Sequence, residues 1–115
     1  MTRKESPMSP QITLCLSVLI LQEDKTWVAQ CLEYDIVAQG ETIAKATQAF
    51  EKTLVGQIII DVKHKKRPLE DIPSAPKFYW DKFENAERLQ DKKPFHLPDY
   101  IPSVNARAED LRVYA

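Results

Sequence analysis

Trp27 to Phe50, WVAQCLEYDIVAQGETIAKATQAF, reads as a strand, a corner, a second short strand, a glycine and then a capped helix. Trp27 to about Leu32 carries the β-branched and aromatic content of a strand, and Glu33-Tyr34-Asp35 turns the corner. Ile36 to Gln39 makes a further strand that Gly40 ends, and Thr42 suits an N-cap. The helix then places Ile43, Ala46, Phe50, Leu54, Ile58 and Val62 on one stripe. That order dictates a small α+β unit.

Upstream, Ile12 to Leu21 alternates with period two. Ile12, Leu14, Leu16, Val18 and Ile20 form a wholly aliphatic face, and exposing it would forfeit about 1.5–3 kcal/mol per side chain. Thr13, Cys15, Ser17, Leu19 and Leu21 form a face suited to partial cover. A polar connection, Gln22 to Thr26, joins the two strands as a hairpin. With its turn centred near Asp24, even positions face even positions. Val28, Leu32 and Tyr34 then join the aliphatic side, and Trp27, Ala29 and Cys31 join Cys15 and Ser17 on the other. Cys15 and Cys31 are expected as neighbours, two buried small thiols without a redox role.

Downstream, the run Lys63-His64-Lys65-Lys66-Arg67 suits a helix C-terminus, and Arg67-Pro68 ends the helix. Pro68 to Pro76 reads as a linker. Ser74 is placed to cap a second helix over about 75–90, in which Tyr79, Trp80, Phe83 and Ala86 share one side. An aromatic face of this kind requires a surface to cover, and the sheet around Trp27, Leu19 and Leu21 offers one, in the same chain or in a partner. Residues 104–114 suit a last strand. Residues 1–11 read as a mobile arm, 12–67 as the β-β-β-α core and 68–115 as an extension.

The chain has 115 residues, 43% of them hydrophobic, which bounds it to one modest domain. A formal charge of -1 supplies no global field to gather nucleic acid or an anionic membrane. Basic residues followed by an apolar run imitate a secretory signal, but Gln22-Glu23-Asp24 follows where a small-residue cleavage site belongs. No stretch is long enough to span a bilayer. With two cysteines in no metal-like spacing, a reduced, cytoplasmic chain is expected.

Catalytic chemistry finds little to work with. Paired-metal hydrolysis needs converging carboxylates; Glu33, Asp35, Glu51 and Asp61 are available, but the first strand carries none. Neither cysteine has His64 or His96 near it in sequence to act as a base, and no glycine-rich phosphate loop exists. No catalytic residue, metal or cofactor is therefore expected. Lys63, Lys65, Lys66 and Arg67 are the candidate contacts to a nucleic acid, weighed against a solvated helix end.

Ile12 to roughly Val62 resembles the HicB family of antitoxin-like proteins. The likeness rests on the opening strand ITLCLSVLIL, the acidic turn QEDKT and the positions Trp27, Ala29, Glu33, Asp35, Gly40, Glu41, Thr42 and Ala46. It implies a partial RNase H-like fold without nuclease activity, and homo-oligomers. It also implies a protein partner, a HicA-like mRNA-cleaving toxin. Lys45 stands where family members commonly carry Glu, and the segment from Pro68 resembles no DNA-binding module of the family.

The expected architecture is α+β: a three- to four-stranded antiparallel sheet, one long helix on its aliphatic face and a second, amphipathic helix. The expected function is non-catalytic protein binding, as an antitoxin or a stand-alone paralogue, with Leu19, Leu21, Trp27, Tyr79, Trp80 and Phe83 as interface anchors. The alternative is a nucleic-acid-associated module using the basic run.

Overall fold

A computed structural model describes residues 11–114, so the arm expected before Ile12 lies almost wholly outside the described residues. The element order is β1 (Ile12–Glu23), β2 (Thr26–Cys31), β3 (Val37–Gly40), α1 (Ile43–Lys63), α2 (Lys77–Glu84), β4 (Glu87–Phe95) and β5 (Val104–Tyr114). The class is α+β. The sheet is not the three- to four-stranded antiparallel one expected: it has five strands in the order β3-β2-β1-β5-β4. β1 pairs antiparallel with β2 and parallel with β5, while β4 pairs antiparallel with β5. The strand expected at 104–114 is present, but it lies beside β1, so residues 12–67 and the extension share one sheet.

β4 escaped the sequence reading for a physical reason. ERLQDKKPF lacks an alternating apolar face, and almost all of it is exposed. It is an edge strand, where charges and Pro94 are tolerated because one side of the backbone needs no partner. The expected helix over 75–90 accordingly stops at Glu84, and its last four residues, 87–90, are strand.

The hairpin register also differs from expectation. Glu23 pairs with Thr26, leaving a two-residue turn at Asp24-Lys25, with Asp24 at φ 57. Odd positions of β1 therefore face even positions of β2: Val18 opposes Cys31 and Leu21 opposes Val28. A one-residue change of this kind moves every side chain of a strand to the other face. Ala29 and Cys31 join Leu14, Leu16, Val18 and Ile20 beneath α1, and Trp27 and Tyr34 pack against that core. Val28 and Leu32 join Leu19 and Leu21 on the opposite side. Cys15 and Cys31 thus lie on opposite faces, one exposed and one buried.

α1 follows its expected stripe, with Ala46, Phe50, Leu54 and Ile58 buried. Thr42 caps it, its hydroxyl accepting from the Lys45 amide at 3.0 Å. The C-terminus is a Schellman turn: Lys66 N donates to Asp61 O at 2.8 Å and Lys65 N to Val62 O at 3.0 Å, with Lys65 at φ 60. Pro68 to Pro76 is not a free linker. Leu69 is fully buried in the core beneath α1, and Ala75 N donates to Leu32 O at 2.9 Å, tying the segment to the corner after β2.

α2 lies across the other face of the sheet. Tyr79, Trp80, Phe83 and Ala86 pack against Leu19, Leu21, Val28 and Leu32 of the same chain. β5 clasps it from the side. Arg112 Nη1 donates to Phe83 O at 3.0 Å, and Lys82 Nζ stands 4.1 Å from the Tyr114 ring centre. Ser74 does not cap α2, since Pro76 occupies the cap position; its hydroxyl donates to Leu32 O and accepts from Trp80 Nε1.

Candidate functional site

The residues expected as partner anchors are already engaged within the chain. Leu19 and Leu21 are buried under α2, and Tyr79, Trp80 and Phe83 are the side chains that cover them. Trp27 is on the α1 side of the sheet, separated from that cluster by the hairpin register. Exposed apolar area lies elsewhere, at Val37 on β3, Ile60 on α1, Phe78 on α2, Leu89 on β4 and Tyr100.

The carboxylates weighed for catalysis are spread through the fold as acceptors for separate structural donors. Glu33 accepts from Ser17 N at 2.7 Å, Glu51 from His96 N at 2.7 Å and Asp61 from Leu69 N at 2.7 Å. Asp35 accepts from Gln30 Nε2 at 2.9 Å. Among the described residues, no group of three or more His, Cys, Asp or Glu side chains is arranged to hold a metal ion.

Cys31 is equally unsuited to attack. Burial, reinforced by the nearby Glu33 charge, pushes its thiol up to about 12, so it keeps its proton at neutral pH. This has a stability consequence. The folded thiol titrates above the unfolded one, so its contribution is complete below about pH 9 and is lost as pH rises toward 12. Urea unfolding between pH 8 and 10.5 should show stability falling above pH 9 by up to about 1.4 kcal/mol per pH unit from this group. Cys31→Ala should lack that part of the slope; an identical slope in both proteins would refute the assignment.

The basic run is exposed and sits at the end of α1, but it is not a uniform cationic patch. Lys66 is paired with Asp71 at 2.7 Å, with Asp61 and Glu70 adding to the local negative field. Lys65 occupies the left-handed position of the helix cap, and His64 Nδ1 lies 2.9 Å from Ile60 O. Lys63, Lys65, Lys66 and Arg67 are thus gathered at a helix terminus, where the macrodipole favours cations in any case.

A concave region lies beside the β3 edge of the sheet. α2 covers β1, β2 and the end of β5 but leaves the same face of β3 open, producing a cleft of about 590 Å3. Val28, Gln30, Val37 and Gln39 line its sheet side, and Pro76 and Tyr79 its α2 side. Glu23 and Asp35 add carboxylates. Gln30 lies in the β2 row of Val28 and Leu32, yet it is only 2% exposed. Its amide nitrogen donates to Cys31 O and to Asp35 Oδ1, both at 2.9 Å. Both partners are acceptors, so the NH2 group is fixed there and Oε1 is left without a partner among the described residues.

Sequence reading did not bring Gln30 and Asp35 together. A polar amide between apolar neighbours was the available signal, but the register that places it on the cleft side was not. No helix among the described residues is long and apolar enough to cross a membrane. Compared with protein-family models, with curated proteins and with solved structures, the chain matches none.

Proposed function

We propose that this protein is a non-catalytic, HicB-like binding protein that acts by holding another protein, as the antitoxin of a HicA-like ribonuclease or as a stand-alone paralogue. The observation that carries the binding reading is the open edge strand β3 beside an uncovered cleft. An edge strand offers unpaired backbone donors and acceptors to an incoming segment, and a pocket next to it reads the segment's side chains. The carboxylates and the protonated Cys31 thiol, each with a structural role, support the non-catalytic part of the reading. The likeness of Ile12 to Val62 to HicB proteins supports the choice of partner class.

The test is to sequence the flanking genes and, where one encodes a small basic protein with a HicA-like histidine, to co-express it with this chain. A HicA-like neighbour should arrest growth alone, and the arrest should be relieved by this chain in a complex that survives gel filtration. Light scattering on that complex also counts the copies of each chain. Continued arrest with no complex would reject the reading. RNA cleavage by this chain alone would reject its non-catalytic part.

A further inference from the structure

We propose that the cleft beside β3 is an arginine-reading subsite, occupied by the guanidinium of a partner segment that runs along the β3 edge. The inference rests on the protein-binding reading and adds the chemistry of the side chain recognised.

Three features select this occupant. Gln30 Oε1 is an acceptor in a residue that is 2% exposed, and no described residue satisfies it. A buried acceptor left unmatched is costly, so its natural complement is a donor brought by the ligand. Asp35, already fixed against the Gln30 amide, adds a carboxylate at the same end of the cleft. Its Oδ1 takes the Gln30 hydrogen bond, leaving Oδ2 to accept another. A guanidinium presents several N–H donors in one plane, so it can serve an amide oxygen and a carboxylate together. An ammonium is a point donor with a tighter hydration shell and matches this pair less well. Val28, Val37 and the Tyr79 and Pro76 wall provide apolar surface for the aliphatic stem of the same side chain.

The neighbouring backbone argues for a segment over a free small molecule. Cys31 N donates to Ile36 O at 2.9 Å, turning Ile36 toward β2. By strand alternation Val37 and Gln39 then direct their N–H and C=O groups outward, at the free edge of the sheet. Val37 is 51% exposed and adjoins the cleft, so an added strand would cover it as its arginine enters.

The experiment is a titration of the 15N-labelled full chain with the peptide acetyl-Val-Arg-Val-amide, followed by amide and Gln side-chain NMR signals. Shifts should concentrate on Gln30, Val37, Ala38, Gln39 and Tyr79. Lysine or citrulline in place of arginine should weaken binding about tenfold, and agmatine alone should bind at least tenfold more weakly than the peptide. Asp35→Asn keeps a side chain able to meet Gln30 but removes the charge, and should weaken the peptide about tenfold. Gln30→Met removes the acceptor and should do the same, with an unchanged spectrum elsewhere showing that the fold is kept. Equal affinity for the arginine and lysine peptides, agmatine as tight as the peptide, or shifts away from the cleft would each overturn the proposal. The titration needs no cellular partner, so its failure leaves the co-expression result standing, and the reverse also holds.

Discussion

Gly40→Ala is expected to cost about 3 kcal/mol of stability, while Gly56→Ala, the same chemical change, should add up to about 1 kcal/mol. The difference lies in what an added Cβ would meet. At Gly40 it would stand 2.6 Å from Ala46 N and 2.7 Å from Lys45 C, both backbone atoms of the first turn of α1. They cannot move without lifting the helix from β3. Gly40 is therefore required by close approach, since no described glycine has a positive φ. At Gly56, in the interior of α1, a Cβ would meet nothing within 4 Å, and alanine reduces the freedom of the unfolded chain at no steric cost. Chemical denaturation of the two variants tests the pair. A Gly40→Ala protein as stable as the parent would mean that α1 does not cross β3 this closely.

The second large effect is expected at Asp61. Its side chain is the fastening point between the end of α1 and the segment that follows. One oxygen accepts from the buried Leu69 N–H at 2.7 Å, and the other accepts from Gln57 Nε2 at 3.1 Å. The bond to Leu69 holds that residue at φ 66, a left-handed conformation that costs a branched side chain about 1–2 kcal/mol. It persists because Leu69 is also fully buried. Asp61→Ala removes both acceptors and leaves a buried donor unmatched, for an expected loss of about 3 kcal/mol. Asp61→Asn keeps one acceptor and should lose roughly 1 kcal/mol. Amide exchange should report the same event locally, with Leu69 and Ile72 losing protection in Asp61→Ala. Unchanged protection there would show that the buried leucine alone holds the turn.

These two residues also show what could be read in advance. Gly40, Thr42 and Ala46 were legible because they are local grammar: a strand end, a cap and a small helical residue follow one another along the chain. Asp61 was legible only as an acid near a helix end. Its donor lies eight residues away in a segment that reads as a linker, and the turn bringing them together has no local signature. The same holds for the cleft. Gln30 stands out in β2, but its partner Asp35 lies beyond a corner, and the Pro76 and Tyr79 wall of its cleft comes more than forty residues later.

The aliphatic face of β1, the long helix laid over it and the need of an aromatic second helix for a surface are all written in local spacing. Period-two and helical spacing encode those facts in neighbouring residues. The hairpin register is visible in the folded chain alone, because a two-residue turn at Asp24-Lys25 and a longer one leave the composition unchanged while exchanging the faces of β2. The same is true of β5 returning parallel to β1 and of β4, mostly exposed and rich in charge, being a strand at all. Non-local pairing leaves no periodic mark on an edge strand, since hydrogen bonds to β5 hold it in place with little side-chain burial. The aromatic helix meets its sheet within the chain, and the β3 edge stays open beside its cleft.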